Sequence, residues 1–399
     1  MYNVQEIFPR IYWVGGNDWR LERFENLLPL PFGISYNTFL VMDEKTALFD
    51  TIDVSTSDQF IDNILHVLNG RRLDYLIINH MEPDHSAAIN EIVRLYPEVT
   101  IVGNELILQY YEQFYSLDIR PNYLMVNEGD ELTTGDFRYR FIMAPLLHWP
   151  EVMFTYETTQ GILFSADAFG SFGAITGNLF YDQIEYSPDE TRRYYANIIG
   201  RFGMPVQSAL NKLSGLEINM ILPLHGPLWR TADVGYILEK YNIWSLYLPE
   251  ETGIVIVFAS MYGNTQLAAE ILASKLSLLG VQNILMFDVS KTDSSFIISD
   301  LWRYSHAVFA APTYNMHLFP IMDYLLRDLN ILNFKNRKIA LIGNYTWLDA
   351  SLANMTALLN TEQDYELVAE PLLILSSLKP AQEAELDAMA NAIYQSMTS

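Results

Sequence analysis

The chain has 399 residues, enough for two or three domains, and half of its residues are hydrophobic. Its net charge of −24 argues against binding to nucleic acid or to an anionic membrane surface. It has no cysteine, which excludes disulfides, iron–sulfur clusters, rubredoxin-type iron and thiol catalysis within this chain. Residues 1–10 lack a signal-peptide pattern, and no apolar run approaches the roughly 18 residues of a membrane helix. We therefore expect a cytoplasmic protein without a membrane segment.

The first 72 residues predict short strands, a covering loop and a helix. Residues 11–14, 35–41 and 46–49 are rich in strand-forming residues and are separated by Gly, Asn and Asp. Residues 24–32 contain two prolines and few polar groups, which is typical of a loop that could cover a site. Residues 57–68 predict a helix.

Four candidate metal ligands lie within six residues, at His80, Glu82, Asp84 and His85. They follow an apolar run at 73–78 that predicts a buried strand, and they precede helical spacing at 86–95. Burying so many ionisable groups without a cation would be costly, so the pattern favours a metal site. The alternative is a solvated acidic loop with two surface histidines.

The same arrangement, an apolar strand followed by a candidate ligand, recurs three times. His148 follows a strand at 139–143, Asp167 follows one at 162–164, and His225 follows one at 218–222. Each of the three residues, taken alone, would more often be an ordinary loop residue. The strands of one sandwich could, however, bring all three to one edge. Imidazole and carboxylate ligands suit iron and manganese as well as zinc.

This series, together with the segments 148–150 (His-Trp-Pro) and 167–170 (Asp-Ala-Phe-Gly), resembles the metal motif of the metallo-β-lactamase superfamily. The hydrolases of that superfamily typically have His where this chain has Glu82, and the Glu form resembles the flavodiiron proteins. The resemblance implies that His80, Glu82 and His148 hold one iron. It implies that Asp84, His85 and His225 hold the other, and that Asp167 bridges them.

The second half predicts a different kind of domain. A helix at 231–250 ends in a linker of proline, acids and glycine, and an apolar strand at 254–258 follows. Further strands at 284–287, 307–311, 339–342 and 372–375 alternate with helices, which indicates a doubly wound parallel sheet of five strands. The loop at 260–265 opens a helix and could hold a phosphate, although an ordinary helix cap explains it as well.

Two more loops leave strand ends at 312–315 and 343–347, where ligands of such sheets bind. The half-chain resembles flavodoxin, which implies an FMN phosphate on the first loop and flavin-ring contacts from the other two. The third loop continues as Leu-Asp-Ala at 348–350 instead of the glycine-richer form usual in the family. The implied FMN contacts are Ser260, Met261, Tyr262, Gly263, Asn264, Thr265, Pro312, Thr313, Tyr314, Asn315, Gly343, Asn344, Tyr345 and Trp347.

The flavodiiron resemblance covers essentially the whole chain. It implies an α/β and α+β protein with a metallo-β-lactamase-like αββα sandwich at 1–250 and a flavodoxin-like domain at 251–399. The implied activity is reduction of O2 to water, of NO to N2O, or both, at two irons supplied with electrons by FMN. A separate electron donor, such as a rubredoxin-like protein or another reductase, and a head-to-tail homodimer or dimer of dimers are also implied.

Two other functions fit parts of the pattern. A binuclear zinc hydrolase with an appended flavodoxin module would use the same ligands, but hydrolysis needs no electrons. A flavodoxin-type electron carrier with a degenerate first domain would not need a complete ligand set. Metal analysis after anaerobic purification distinguishes the zinc hydrolase from the two-iron oxidoreductase. Activity after metal removal distinguishes the electron carrier from it.

Overall fold

The computed structural model describes residues 1–184, 188–359 and 365–398. The chain forms two compact units: Met1–Tyr195 with Met204–Asn242, and Ala196–Gly203 with Ile243–Ser399. The predicted domain boundary between residues 250 and 251 stays a prediction. Within the described ranges, no helix combines the length and the apolar character that crossing a bilayer requires.

Two β-sheets dominate the first unit. One has seven strands in the order β1-β2-β7-β8-β9-β10-β11, and the other has six in the order β12 to β17. The strands are β1 (Gln5–Phe8), β2 (Ile11–Trp13), β3 (Gly16–Asp18), β4 (Arg23–Phe24), β5 (Leu28–Pro29), β6 (Ile34–Tyr36), β7 (Phe39–Met42), β8 (Thr46–Phe49), β9 (Tyr75–Ile77), β10 (Thr100–Gly103), β11 (Tyr123–Met125), β12 (Glu131–Thr133), β13 (Arg138–Met143), β14 (Met153–Glu157), β15 (Ile162–Phe164), β16 (Met220–Leu222) and β17 (Trp229–Arg230).

Helices connect these strands: α1 (Ser57–Leu68), α2 (Pro83–Ser86), α3 (Ile89–Leu95), α4 (Glu105–Phe114), α5 (Pro188–Tyr194), α6 (Gly203–Leu213) and α7 (Ala232–Ser245). The predicted helix at 57–68 is confirmed. The helix predicted at 86–95 starts later, as α3 at Ile89, and Ser86 instead ends the short helix α2, which contains Asp84 and His85. A π-helical segment, Tyr195–Ile199, follows α5. The two sheets pack through stacked aromatic rings, with Phe49 of one sheet 3.8 Å from Phe164 of the other.

Strand direction explains why the candidate ligands meet. β15 and β16 run parallel, so the loops that follow them leave the same sheet edge. β13 is antiparallel to β14, and β14 to β15, so β13 also ends at that edge. These loops carry His148, Asp167 and His225, while the segment after β9 brings the remaining ligands from the other sheet, His80 and Glu82 on a loop and Asp84 and His85 on α2. The expected convergence of strand ends is present.

The strand predicted at 35–41 is wrong in one respect, because the chain breaks there into β6 and β7, which belong to different sheets. The buried side chain of Asn37 lies at the break. Its Nδ2 donates hydrogen bonds to the carbonyls of Pro223 and Gly226, both at 2.9 Å. Asn37 is thus bonded to the loop that carries His225, and the strand does not continue through this residue.

The second unit is a doubly wound parallel sheet of the flavodoxin type. Its order is β19-β18-β20-β22, with β23 and β24 sharing the fifth position beside β22 and β21 pairing antiparallel with β20. Its elements are β18 (Glu251–Phe258), α8 (Asn264–Leu278), β19 (Ile284–Asp288), α9 (Ser294–Arg303), β20 (Tyr304–Tyr314), β21 (His317–Leu318), α10 (Pro320–Ile331), β22 (Arg337–Tyr345), α11 (Ser351–Leu359), β23 (Tyr365–Leu367), β24 (Leu372–Leu375) and α12 (Glu383–Thr398). Apolar side chains of α8 and α12 cover one face of the sheet.

Candidate functional sites

All seven predicted metal ligands lie together in the first unit, buried beneath the surface. They form two groups, and within each group the ligand atoms all lie within 4.8 Å of one another. The first group is His80, Glu82, His148 and Asp167; the second is Asp84, His85 and His225. None of the seven residues is more than 9% exposed, so each charge depends on its neighbours instead of on water.

In the first group, three side chains meet around one carboxylate oxygen. Glu82 Oε2 lies 3.2 Å from His80 Nε2 and 3.0 Å from His148 Nε2. Asp167 Oδ2 lies 3.2 Å from the same nitrogen of His148. Two imidazole nitrogens and two carboxylate oxygens therefore point at one small volume.

The second group repeats this arrangement with the other oxygen of Asp167. Asp84 Oδ2 lies 3.3 Å from His85 Nε2 and also 3.3 Å from His225 Nε2. Asp167 Oδ1 lies 3.2 Å from His85 Nε2. Asp167 thus presents one oxygen to each group, which is the position a bridging carboxylate would need.

The ligand atoms of the second group are placed to bind a cation and not to hydrogen-bond to one another. Neither carboxylate oxygen of Asp84 accepts a hydrogen bond from the residues that the structure describes, although both are buried. The Nε2 atoms of His85 and His225 are 2.9 Å apart. With metal–nitrogen bonds of about 2.1 Å, that separation suits two neighbouring positions on one ion.

The pKa values of the first group show how strongly the site favours positive charge. Burial alone would lower the pKa of His148, but hydrogen bonds to Asp167 and Glu82 outweigh it and raise the pKa to about 9. Burial alone would raise the pKa of Asp167, but His85 and His225 hold it well below its usual range. Bound cations would satisfy the same demand while leaving the imidazoles neutral.

Hydrogen-bond acceptors behind the ligands fix the orientation of the histidine rings. The sequence analysis did not identify these acceptors. Glu151 Oε1 accepts hydrogen bonds from His80 Nδ1 at 2.8 Å and from the Met81 backbone N–H at 2.9 Å. The His225 Nδ1 donates to the carbonyl of Ser35 at 2.8 Å. Each bond leaves the Nε2 of its histidine free to act as a ligand. The only sequence signal for Glu151 was its position three residues after His148.

Aromatic rings from the β4–β5 hairpin and from α5 lie against His225 of the second group. The ring centroid of Phe24 lies 5.4 Å from that of His225, and the ring centroid of Tyr194 lies 5.5 Å from that of His225. Glu25, next along the hairpin, is exposed. Partial burial, followed by the charge of Glu82, raises the pKa of its carboxyl group to about 7. The expected covering loop at 24–32 therefore lies at the site.

The second unit has a cleft at the ends of its strands, where the three predicted loops meet. Eleven of the fourteen predicted contacts line it; Gly263, Tyr314 and Gly343 do not. Residues that the prediction missed are Thr346, Leu348 and Ser376, which also line it. Ser376 comes from the loop after β24, which carries no ligand signal in the sequence.

The floor of this cleft is the N-terminal end of α8. Ser260 Oγ accepts hydrogen bonds from the backbone N–H groups of Gly263 and Gln266, at 3.1 and 3.3 Å. Thr265 Oγ1 accepts one from Asn344 Nδ2 at 3.2 Å, which ties the first loop to the third. At the rim, Tyr262 and Trp347 are 91% and 82% exposed, leaving flat aromatic faces available to a planar ligand.

Comparison with known proteins agrees with both units. A family model described as "ODP family beta lactamase" matches residues 34–226. The chain is 32% identical to the nitric oxide reductase of Moorella thermoacetica over 369 residues, 90% of each chain. It is 26% identical to rubredoxin oxygen:oxidoreductase from Desulfovibrio gigas, with a TM-score of 0.91 over 99% of each chain. The fold also matches the flavodiiron protein from Giardia intestinalis, with a TM-score of 0.93 at 24% identity, over 100% of this chain and 98% of that one.

These matches run through the sheets that hold the buried ligand groups and on through the parallel sheet that forms the cleft. Glu82 stands where the zinc hydrolases of this fold typically have His. This difference from the hydrolases agrees with the matches. The chain belongs to the flavodiiron protein family of oxidoreductases.

Proposed function

We propose that the protein reduces O2 to water, NO to N2O, or both, at a two-iron centre that receives electrons from FMN. The observation that carries this proposal is the placement of Asp167, whose two oxygens face two separate groups of buried ligands. A single-metal site would not need a second group, and a structural salt-bridge cluster would not leave both oxygens of Asp84 without a hydrogen bond from the described residues.

In this proposal, His80, Glu82 and His148 hold the first iron, and Asp84, His85 and His225 hold the second. Asp167 would offer one oxygen to each ion. The three carboxylates would supply three of the four negative charges that two divalent ions need for neutrality. When bound, the two irons supply two electrons and open coordination positions, which suits both proposed reactions.

The chain's own residues orient the ligands and exclude water. Glu151 fixes the ring of His80, and the Ser35 carbonyl fixes that of His225. The rings of Phe24, Tyr36 and Tyr194 lie 5.4 to 5.6 Å from the His225 ring and keep that side of the site apolar. Such a wall suits small apolar substrates such as O2 and NO, and it limits access by bulk water.

FMN is proposed to bind in the cleft of the second unit, with its phosphate against the N-terminal end of α8. The backbone N–H groups of Asn264 and Thr265, at the start of α8, and the hydroxyls of Ser260 and Thr265 are the candidate donors there. Reduced FMN supplies two electrons per molecule. Reduction of O2 to water consumes four electrons and four protons, and reduction of two NO to N2O and water consumes two of each. A flavin therefore has a role here that it would lack in a hydrolase.

The test is anaerobic turnover of the reduced protein with O2 and with NO in parallel, combined with metal and flavin analysis of the purified protein. Two irons and one FMN per chain, with consumption of either gas, would support the proposal. Two zinc ions with no gas consumption would favour the hydrolase, and a flavin without bound metal would favour the electron carrier.

We further propose that two chains form a head-to-tail homodimer, in which the flavin of one subunit serves the metal centre of the other, and that a separate reductase supplies the electrons. The resemblance supports this assembly, and two-fold symmetry would duplicate every such contact. Exposed aromatic residues are available near both sites: Trp19 and Phe32 on the first unit, and Tyr262 and Trp347 on the second.

Mixing subunits tests the assembly. A His80→Ala chain that lacks iron and a Ser260→Ala/Thr265→Ala chain that lacks flavin should each be inactive alone. After subunit exchange, mixed dimers should regain one intact flavin–iron pair and part of the turnover. A fully active monomer at assay concentration would contradict the proposed assembly.

A further inference from the structure

Asn37, at the break between β6 and β7, bonds to the loop at residues 223–226 on both sides of its proposed metal ligand. The backbone N–H of Asn37 donates to the carbonyl of Leu224 at 2.7 Å. Its side-chain Nδ2 donates to the carbonyls of Pro223 and Gly226, both at 2.9 Å. Asn37 therefore bonds to three of the loop's four residues, and the remaining one is the ligand.

Ser35 binds the rest of this loop. Its carbonyl accepts a hydrogen bond from His225 Nδ1 at 2.8 Å, and its Oγ accepts one from the backbone N–H of Gly226 at 2.7 Å. Gly226 has a left-handed backbone with φ of 73°, and a Cβ there would lie 2.6 Å from the Cβ of Ser171. The loop follows this path because the position is glycine. The bonds from Ser35 and Asn37 thus fix both the backbone and the ring of the ligand.

The orientation of the Asn37 amide is set by a further side chain. Trp13 Nε1 donates to Asn37 Oδ1 at 2.9 Å, so the amide oxygen faces the indole and the amide nitrogen faces the loop. Both side chains are buried, and burying an amide is costly unless its donors and its acceptor are all bonded. Here they are. The neighbours of Asn37 favour a continuous strand, so the break serves the placement of the loop.

We propose that Asn37 is a positioning residue for the metal centre, which sets the His225 ring in the second ligand group by holding the loop at residues 223–226. This inference rests on the proposed function, because it assigns His225 to a metal. Asn37 would not itself bind the ion, since its amide nitrogen already donates to two carbonyls. Glu151 acts on a ring nitrogen of His80, whereas Asn37 would act on the backbone on either side of the ligand.

The consequence is that one ion depends on Asn37 and the other does not. Without the amide, the carbonyls of Pro223 and Gly226 lose their donor and the loop can shift. The Nε2 of the ligand would then leave its position 3.3 Å from Asp84 Oδ2. The first group takes its ligands from other loops. Loss of an outer partner of a ligand typically weakens metal affinity by about 10- to 100-fold, and here only the second ion should be affected.

The experiment compares Asn37→Ala with Asn63→Ala in the full chain. Asn63 is a matched control, because its buried Nδ2 likewise donates to two backbone carbonyls, those of Val14 and Gly15, both at 3.1 Å. Ferrous ion is titrated anaerobically into each metal-free protein against a chelator of known affinity. The thermal unfolding of the same metal-free proteins is measured alongside.

Two further variants locate the effect. Ser35→Ala removes the acceptor of the Gly226 N–H and leaves the Ser35 carbonyl in place, so it loosens the loop less than Asn37→Ala does. Asp84→Asn removes a proposed ligand of the second ion itself. Combining Asn37→Ala with Asp84→Asn therefore shows whether both changes act on the same ion, because effects at one site do not add.

We expect Asn37→Ala to bind one ferrous ion within about 3-fold of the parent protein and the other about 10- to 100-fold more weakly. Ser35→Ala should weaken the same ion by a smaller factor, at least about 3-fold. Asn63→Ala should bind both ions within about 3-fold of the parent protein, although both asparagine variants should unfold at a lower temperature without metal. In the Asp84→Asn protein, adding Asn37→Ala should leave the affinity for the remaining ion unchanged.

Equal weakening of both ions in Asn37→Ala, or weakening of neither, would overturn the inference. So would an equal loss of metal affinity in Asn63→Ala, which would assign the effect to the stability of the fold. If Asn37→Ala does not fold, unchanged affinity in Ser35→Ala would overturn it instead. A parent protein that does not bind two ferrous ions would contradict the proposed function itself.

Discussion

The Nε2 atoms of His85 and His225 lie 2.9 Å apart, although the two residues are separated by 140 positions in the chain and neither is exposed. Two imidazoles brought edge to edge in this way either share a proton or face one cation. Asp84 and Asp167 add negative charge at 3.2 to 3.7 Å from these nitrogens, which favours the cation. The predictions below follow from this site and from the cleft of the second unit.

The different positions of Asp167 and Asp84 predict different metal losses. Asp167→Asn should lose both irons, or retain one with little activity, because each oxygen of Asp167 faces one group. Asp84→Asn, matched in charge and shape, should lose only the second iron. Metal analysis by mass spectrometry after anaerobic loading measures this difference. Two irons and full turnover in Asp167→Asn would contradict the bridging role.

Glu151 should affect metal binding without being a ligand. Glu151→Ala removes the acceptor that orients His80, so the affinity of the first metal should fall by about 10- to 100-fold. Glu157→Gln provides the control, because Glu157 is equally buried but accepts hydrogen bonds from Arg138 and Thr159 instead of from a ligand. The control should bind metal normally. Equal metal affinities in the two variants would remove Glu151 from the site.

The flavin cleft should depend on its hydroxyls and on its aromatic rim. Ser260→Ala/Thr265→Ala should weaken FMN binding while iron content stays unchanged, because the two sites belong to separate units. Trp347→Ala should weaken it by about 5-fold if the ring stacks on the flavin, as aromatic pairs contribute about 1 kcal/mol beyond burial. Ser274→Ala, an exposed hydroxyl on α8, is the control. Quenching of flavin fluorescence during titration measures the affinity.

His306 predicts an acid sensitivity of folding that is independent of the metals. Burial, and then the charge of Lys338, lowers its pKa to about 4. The unfolded chain would bind a proton near pH 6.5 whereas the folded chain would not. The free energy of unfolding should therefore fall as the pH drops from about 6.5 toward 4, by at most about 2 kcal/mol at pH 5.

Urea unfolding of the full chain at pH 7 and pH 5 tests this expectation, with His306→Asn as the comparison. The variant has no proton to bind at this position, so its stability should change less between the two pH values than that of the parent protein. Identical changes in both proteins would show that His306 is not responsible.

The sequence was most informative where chemistry and strand pattern coincide. His148, Asp167 and His225 each follow a short apolar strand, and parallel strands end together, so their convergence could be predicted. The partners behind them could not, because the contact of Glu151 with His80 depends on how the two sheets pack. The break at Asn37 was missed for the same reason: its neighbours favour a strand, and only the loop at residues 223–226 shows why the strand ends.

The first unit draws its metal groups from four loops spread between residues 80 and 225, on two different sheets. Iron bound there would act as a cross-link that closes long loops, and it would be present only in chains whose sheets have already assembled. Each tenfold excess of free iron over its dissociation constant would add about 1.4 kcal/mol of stability per site. A cell starved of iron would then hold this protein in a form more easily opened and degraded, so that its abundance would follow the metal supply even at constant synthesis.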